Sequence, residues 1–361
     1  MNDKVMKEFA NSQVLSNLST YQITHESDIS DETPVVFINE KKFAVKGDIS
    51  FITGQPKAGK TSIATYILAT AFLEEVPKEL DTLQIRSTHH KGKKVIYIDT
   101  EQPLSQTNRL RKKICKVIKS TEEPQELLIF NIRAISRKEK KNEVFAIIDH
   151  FKDDLHFVVI DGIADLVKDP NLADESFDLI DDLMRRALAY NISILAYIHQ
   201  NPSSDKSRGH MGSEAERKCG GMISIKKDKD QIHCIESKYM RYDANLDTVF
   251  FVYDTEKQDF RTLDNTETEK VKERKELDKQ LELYEWVHGL FEGGHRQLSH
   301  TDLKNGLMQA EGVSEKTART RIQKMRDYNF IKKEENGSYS FVDHKELTRK
   351  ILFVEGSTEN S

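Results

Sequence analysis

The chain has 361 residues, 32% of them charged and 37% hydrophobic, with a formal net charge of −5. That length allows two domains, or one large domain with an appendage, and the balance is that of a soluble protein with a wide polar surface. It excludes a uniformly basic nucleic-acid coat, though 55 Lys and Arg residues leave room for a local basic face.

The three cysteines, Cys115, Cys219 and Cys234, have no metal-ligand spacing, and such a sparse odd set points to reduced thiols and a cytoplasmic location. The start, Met1-Asn-Asp-Lys, lacks the apolar core of a signal peptide. No run approaches the roughly 18 apolar residues of a membrane span, so no membrane partner is expected.

Residues 1–34 are polar, helix-compatible and without a usable motif. Val35–Asn39 and Lys42–Val45 read as short strands about an Asn39–Lys42 turn. Asp48–Thr53 reads as a buried strand, and Ser62–Leu73 as an apolar helix. Between them stands Gly54-Gln55-Pro56-Lys57-Ala58-Gly59-Lys60-Thr61, which matches the phosphate-binding pattern G-x-x-x-x-G-K-[ST]. Gly54 and Gly59 permit a tight turn that brings backbone N–H groups onto phosphate oxygens. Lys60 is expected on the β- and γ-phosphates, and the Thr61 hydroxyl on Mg²⁺. The helix that starts near Ser62 points its free amides at the same anion, so Gly54 to Ser62 form the expected ATP contact.

Residues 79–94 read as a polar, basic surface loop. Val95–Asp99 is a continuous apolar run suited to a parallel, doubly covered strand. Gln106–Ser120 reads as a basic helix, Leu127–Ile132 as a strand and Glu143–Phe151 as a helix. Phe157–Asp161 is the next strand, Ser176–Tyr190 a helix and Ile192–Ile198 a further strand. This alternation predicts an α/β domain about a mostly parallel sheet. Met222–Ile225, Ile232–Ser237 and Thr248–Tyr253 read as antiparallel strands that finish it.

Four strand ends carry candidate chemistry. Asp161 follows four apolar residues, as a Walker B acid holding Mg²⁺ does, and emerges at the C-terminal edge where ligands bind. Asp99-Thr100-Glu101 ends another strand; Glu101 is expected to polarise the attacking water, with Asp99 as the alternative or a structural acceptor. His199, followed by Gln200, is placed to touch the γ-phosphate. Lys238 and Arg241, three residues apart after a late strand, suit a finger that reaches a neighbour's nucleotide. Glycines and basic residues from Lys206 to Arg217 suggest a mobile loop facing a polyanion.

Residues 263–280 are almost all charged or polar, a linker or solvated helix. Leu281–Phe291, Ser299–Met308 and Ser314–Arg326 then read as three helices, with Ser314 as N-cap of the third. Phe330–Glu334 and Gly337–Val342 form a hairpin. That order is the order of a winged helix-turn-helix over 281–345, before a 346–361 tail. Its third helix is a candidate duplex-DNA contact.

Taken in sequence, Gly54–Thr61, Asp99–Glu101, Phe157–Asp161, His199-Gln200 and Lys238/Arg241 resemble the RecA-type ATPase core, over roughly residues 35–262. Within that group the likeness is to RepA-like and DnaB-like hexameric helicases of plasmids and mobile elements. The resemblance implies a strand-end Glu as catalytic base, a His or Gln that senses phosphate, and a Lys/Arg pair acting across subunits. It also implies a homo-oligomer, hexameric in the ring-forming members, with DNA-contacting loops, here Lys206 to Arg217. The chain departs from DnaB in lacking a long N-terminal partner domain and in carrying the C-terminal module. The expected function is a DNA-stimulated ATPase; the alternative is an ATP-dependent DNA-binding regulator that does not unwind.

Overall fold

A computed structural model describes residues 22–25, 31–55, 58–200, 209–292 and 297–347. The chain divides into two compact units, Met1–Thr262 and Leu263–Ser361.

The first unit is built on a nine-stranded sheet. In chain order its strands and helices are β1 (Pro34–Ile38), β2 (Lys41–Val45), β3 (Ile49–Gly54), α1 (Lys60–Thr70), β4 (Ile85–Ser87), β5 (Lys94–Asp99), α2 (Leu104–Val117), β6 (Leu127–Asn131), α3 (Arg137–Phe151), β7 (Leu155–Asp161), α4 (Ala173–Tyr190), β8 (Ser193–His199), α5 (Gly209–Lys218), β9 (Gly221–Lys227), β10 (His233–Met240), β11 (Val249–Asp254) and β12 (Asp259–Thr262). The large sheet has the order β12-β11-β10-β9-β3-β8-β7-β5-β6. From β9 to β6 every pairing is parallel, and β10, β11 and β12 add antiparallel strands at one side. The α/β class and mostly parallel sheet are therefore those the strand–helix alternation predicts.

Side-chain alternation splits each central strand between two cores. Val95 and Tyr97 of β5, with Phe157 and Val159 of β7, face the core that holds α1 and α2. Ile96 and Ile98, with Val158 and Ile160, face the core that holds α3, α4 and α5. Both faces are covered, which is why these strands read as unbroken apolar runs.

Three sequence readings change. Residues 79–94 are not wholly a surface loop: β4 pairs antiparallel with β1 in a separate three-stranded sheet, order β2-β1-β4, and Ile85 is fully buried. β9 runs parallel to the phosphate-loop strand, not antiparallel, because α5 carries the chain back across the sheet before it. The stretch Gly209 to Arg217, expected as loop, is α5: Met211 and Ala215, one turn apart, insert into the second core. Lys206 and Arg208 lie outside the described residues.

The second unit contains α6 (Asn265–Glu292), α7 (His300–Glu311), α8 (Glu315–Asp327), β13 (Ile331–Lys333) and β14 (Tyr339–Phe341). Most of 263–280, expected as a linker or solvated helix, is the first half of α6, since charged side chains at helical spacing suit a solvated helix. α7 opens with a capping box between Ser299 and Asp302, and Ser314 Oγ accepts from the Thr317 N–H at the start of α8. Leu303, Leu307, Ala318, Ile322, Met325, Phe330 and Tyr284 close a core of its own. β13 pairs with β14, and Leu298 bridges to Tyr339. Among the described residues no helix is long and apolar enough to cross a membrane.

Candidate active site

The phosphate loop leaves the sheet at Gly54, which lies between His199 of β8 and Ile225 of β9. A Cβ on Gly54 would sit 2.6 Å from the Ile225 carbonyl oxygen, so only glycine fits this exit. Gly59 takes φ 101°, in the left-handed region, and turns the chain into α1. Lys60 Nζ folds back and donates to the carbonyls of Gly54 (2.9 Å) and Gln55 (3.0 Å). Burial lowers the Lys60 pKa, while the nearby carboxylates of Asp161 and Glu101 oppose that shift. Thr61 is exposed and Ser62 half-buried in the first turn of α1. Pro56 and Lys57, also expected to line the loop, lie outside the described residues.

Asp99 and Asp161 are register partners at the ends of β5 and β7. Their environments differ. Asp99 is fully buried and accepts from Glu101 N (3.1 Å), Gln102 N (2.8 Å) and Thr107 Oγ1 (2.7 Å). It thereby ties the strand end to the start of α2, and burial raises its pKa. Asp161 is 9% exposed and accepts on Oδ2 from Tyr97 OH (2.6 Å) and Gln102 Nε2 (2.8 Å). Burial pushes its carboxyl up to about 6, and the negative Asp99 and Glu101 push the same way. Oδ1 carries neither of these two bonds.

Glu101 stands beyond this pair. Its Oε2 lies 3.1 Å from His199 Nε2, and that contact lowers the Glu101 pKa, with further help from Lys60 and Lys140. Lys140, buried, donates to the Thr100 carbonyl and to Asp165 Oδ2, both at 2.7 Å, and so fixes the Glu101 turn against the segment after β7. Glu101 and His199 open onto a cavity of about 280 Å³ lined also by Arg137, Asp165, Lys168 and Asn171. Gln200, by contrast, points into the sheet and donates to Ser224 Oγ (2.7 Å).

Lys60, Thr61, Asp161, Glu101 and His199 thus share one edge of the sheet. Lys238 and Arg241 do not. Met240 pairs with Gly221, which lies beside Ser50, four residues before the loop exit at Gly54. Arg241, just beyond Met240, therefore sits roughly 13–17 Å along the strand direction from its own phosphate loop, and Lys238, next to Ser237 at the level of Ile52, roughly 7–10 Å, at 3.3 Å per residue. Lys238 Nζ is 3.7 Å from Glu216, and Arg241 Nη2 donates to the Lys218 carbonyl at 3.4 Å. In α5, Arg217 pairs with the buried Glu214 (2.7 Å) and Lys218 with Asp181 (3.1 Å).

Several contacts lie outside any motif. His233 of β10 donates from Nδ1 to the Ala58 carbonyl (2.8 Å), with its ring against Phe251 and Phe260, and so supports the loop from below. Tyr197 OH donates to the Lys60 carbonyl (3.3 Å). Tyr97 and Gln102 orient Asp161. Only Gln102, adjacent to Glu101, had a sequence signal; the others belong to strands whose partners only the fold names.

A half-buried lysine over a glycine-turned loop, an exposed hydroxyl at a helix N-terminus and a carboxylate held by one oxygen fit a nucleoside triphosphate with Mg²⁺. Among the described residues no group of three or more His, Cys, Asp or Glu side chains is placed to hold a metal, so a divalent ion here would depend on phosphate oxygens and water for most of its ligands. The mostly parallel sheet, loop and strand-end acids together define a P-loop nucleotide-binding core.

The model of the AAA domain family matches residues 20–203, over half of the chain, and the chain belongs to that family. No curated protein matches it. Among solved structures it is similar to the RadB recombinase, with 16% identity over 62% of this chain and 93% of that one and a TM-score of 0.44. It is also similar to a KaiC-like protein of the hyperthermophilic archaeon Pyrococcus horikoshii, with 11% identity over 65% and 100% of the two chains and a TM-score of 0.45.

Proposed function

We propose that this chain is an oligomeric, DNA-stimulated ATPase of the RepA-like helicase type, which hydrolyses ATP at subunit interfaces during replication or mobilisation of a plasmid or mobile element. The observation that carries it is the placement of Glu101 and His199 beside the loop exit, with Lys238 and Arg241 far from that same loop. A nucleotide bound there meets all the chain's hydrolytic groups but one, the finger, which a neighbour would supply.

In this reading Lys60 exchanges the Gly54 and Gln55 carbonyls for the β- and γ-phosphates. Thr61 and Asp161 would hold Mg²⁺, which would supply charge neutralisation at the phosphates. Ionised Glu101 orients the attacking water and accepts its proton. His199, paired with Glu101 before substrate arrives, senses the γ-phosphate by exchanging one anion for another. Lys238 or Arg241 of an adjacent subunit stabilises the transition state. DNA meets the region from Lys206 to Arg217 and the C-terminal unit, read as a winged helix with α8 in the major groove and Lys332 and Lys333 on flanking phosphates.

A second reading is favoured by that C-terminal unit, which has a complete core of its own. Here the ATPase core is a nucleotide switch and α8 reads a duplex site without strand separation. Measuring ATP turnover alone, with single-stranded DNA and with duplex, alongside particle mass with ATP, separates the two. DNA-stimulated turnover, strand separation and assembly with ATP support the first. Slow, DNA-indifferent turnover with sequence-specific duplex binding supports the second. Glu101→Gln should keep ATP binding and lower turnover at least a hundredfold, the usual scale for losing a general base. If Asp99→Asn is the more damaging change in an intact fold, Glu101 is the wrong acid.

A further inference from the structure

The acids and His199 stand on the β8, β7 and β5 side of the phosphate-loop strand. The γ-phosphate must face them, so the α-phosphate and nucleoside must leave on the other side, past the N-terminus of α1 toward the β9–β12 side. A charged cluster waits there. Lys113, projecting from α2, places Nζ 3.4 Å from Ser62 Oγ. The same Nζ lies 2.6 Å from Asp259 Oδ1 at the start of β12, and Tyr66 OH of α1 donates to that oxygen at 3.1 Å. Lys113 Nζ also lies over the Tyr66 ring, 5.2 Å from its centroid. A carboxylate beside a phosphate path is unfavourable by itself. Its geometry makes sense as a tether: Asp259 fixes the ammonium of Lys113 over the first turn of α1, half-buried and within reach of an anion seated on the Ser62 amide.

We propose that Lys113 is a second phosphate lysine of this site, which binds the α-phosphate of the nucleotide while Asp259 holds it in place. This rests on the phosphate-loop reading above and deepens it. Lys60 serves the β- and γ-phosphates, present in different degree in ADP and ATP. Lys113 serves the phosphate that both share.

Calorimetric titration of the full chain with ADP and with ATP, each with Mg²⁺, tests this. Lys113→Met keeps an apolar stem of similar length and removes the charge; it should weaken both nucleotides by the same factor, about tenfold, as expected for one charge-assisted hydrogen bond. Lys113→Arg should retain most of the affinity. Asp259→Asn, whose side-chain oxygen can still accept from Lys113, should cost clearly less than Lys113→Met, about threefold or less, because the lysine charge remains. Equal losses in Lys113→Met and Asp259→Asn would mean that the pair only braces α2 against β12, and would overturn the proposal. So would a loss confined to ATP, which would put Lys113 at the γ-phosphate, or no loss at all. An unaltered chain that binds neither nucleotide would overturn the phosphate-loop reading and this proposal together.

Discussion

Asp161 is pulled two ways by its surroundings. Tyr97 and Gln102 hold one of its oxygens, while burial beside Asp99 and Glu101 disfavours its charge and raises its pKa to about 6. A carboxyl whose folded pKa exceeds the ordinary value of 3.8 favours the fold when protonated. That contribution is complete below about pH 4 and is lost as pH rises through 6. At pH 7 the nucleotide-free, Mg²⁺-free fold therefore carries the cost of a buried charge. Asp161→Asn, whose amide oxygen still accepts from Tyr97 and Gln102, should raise stability at pH 7 by something on the order of 1–3 kcal/mol. The gain should shrink by pH 5. Thermal melts in chelator at the two pH values check this; a less stable variant at pH 7 would count against it. If Asp161 is a ligand of the divalent ion, turnover by the unaltered chain should fall below about pH 6, where the protonated acid would bind that ion poorly.

The acids reach one edge because β5 and β7 are parallel and in register, with Asp99 opposite Asp161. Helix α8 turns Ala318, Ile322 and Met325 into the core of the C-terminal unit, as its 3.6-residue spacing predicts, which leaves Arg319 and Arg326 on the outer side. Arg319 is engaged by Glu315 at 2.8 Å, an exposed pair that a phosphate would readily displace. If α8 contacts duplex DNA, Arg319→Ala with Arg326→Ala should reduce the affinity of the whole chain for duplex and lower the slope of log affinity against log salt by about 2, one per lost phosphate contact. An unchanged slope measured by fluorescence anisotropy would assign this face to solvent or to a protein partner. Ile322→Ala, by contrast, should destabilise the C-terminal unit by about 2–5 kcal/mol through the cavity it leaves.

For the whole molecule, the separation of Lys238 and Arg241 from their own phosphate loop is the main consequence of the topology. A site completed by a neighbour predicts complementation. Arg241→Ala subunits retain the loop, and Lys60→Ala subunits retain the finger. Each alone should be nearly inactive. Mixed in equal amounts, they should recover roughly a quarter of the unaltered turnover, since in a head-to-tail assembly one interface in four joins a good loop to a good finger. No recovery in particles shown by mass to contain both would place catalysis within a single subunit.

The sequence by itself determined the α/β class, the phosphate loop, the apolar strand that delivers Asp161 and the inward face of α8. All are local patterns, in which a period of two or 3.6 residues or a fixed spacing within one segment carries the whole signal. It left Glu101 and Asp99 as alternatives, two residues apart on one strand end. Their tertiary contacts differ: Asp99 is closed in by the Glu101 and Gln102 amides and Thr107, while Glu101 faces His199 from another strand. The fold alone decided that β9 is parallel, that α5 replaces a loop and that β4 joins β1, since strand direction and partner are properties of pairs distant in sequence. It alone brought His233 beneath Ala58, 175 residues away, and Lys113 to Asp259. Such contacts arise from packing distant segments around a common core, and no spacing within either segment announces them.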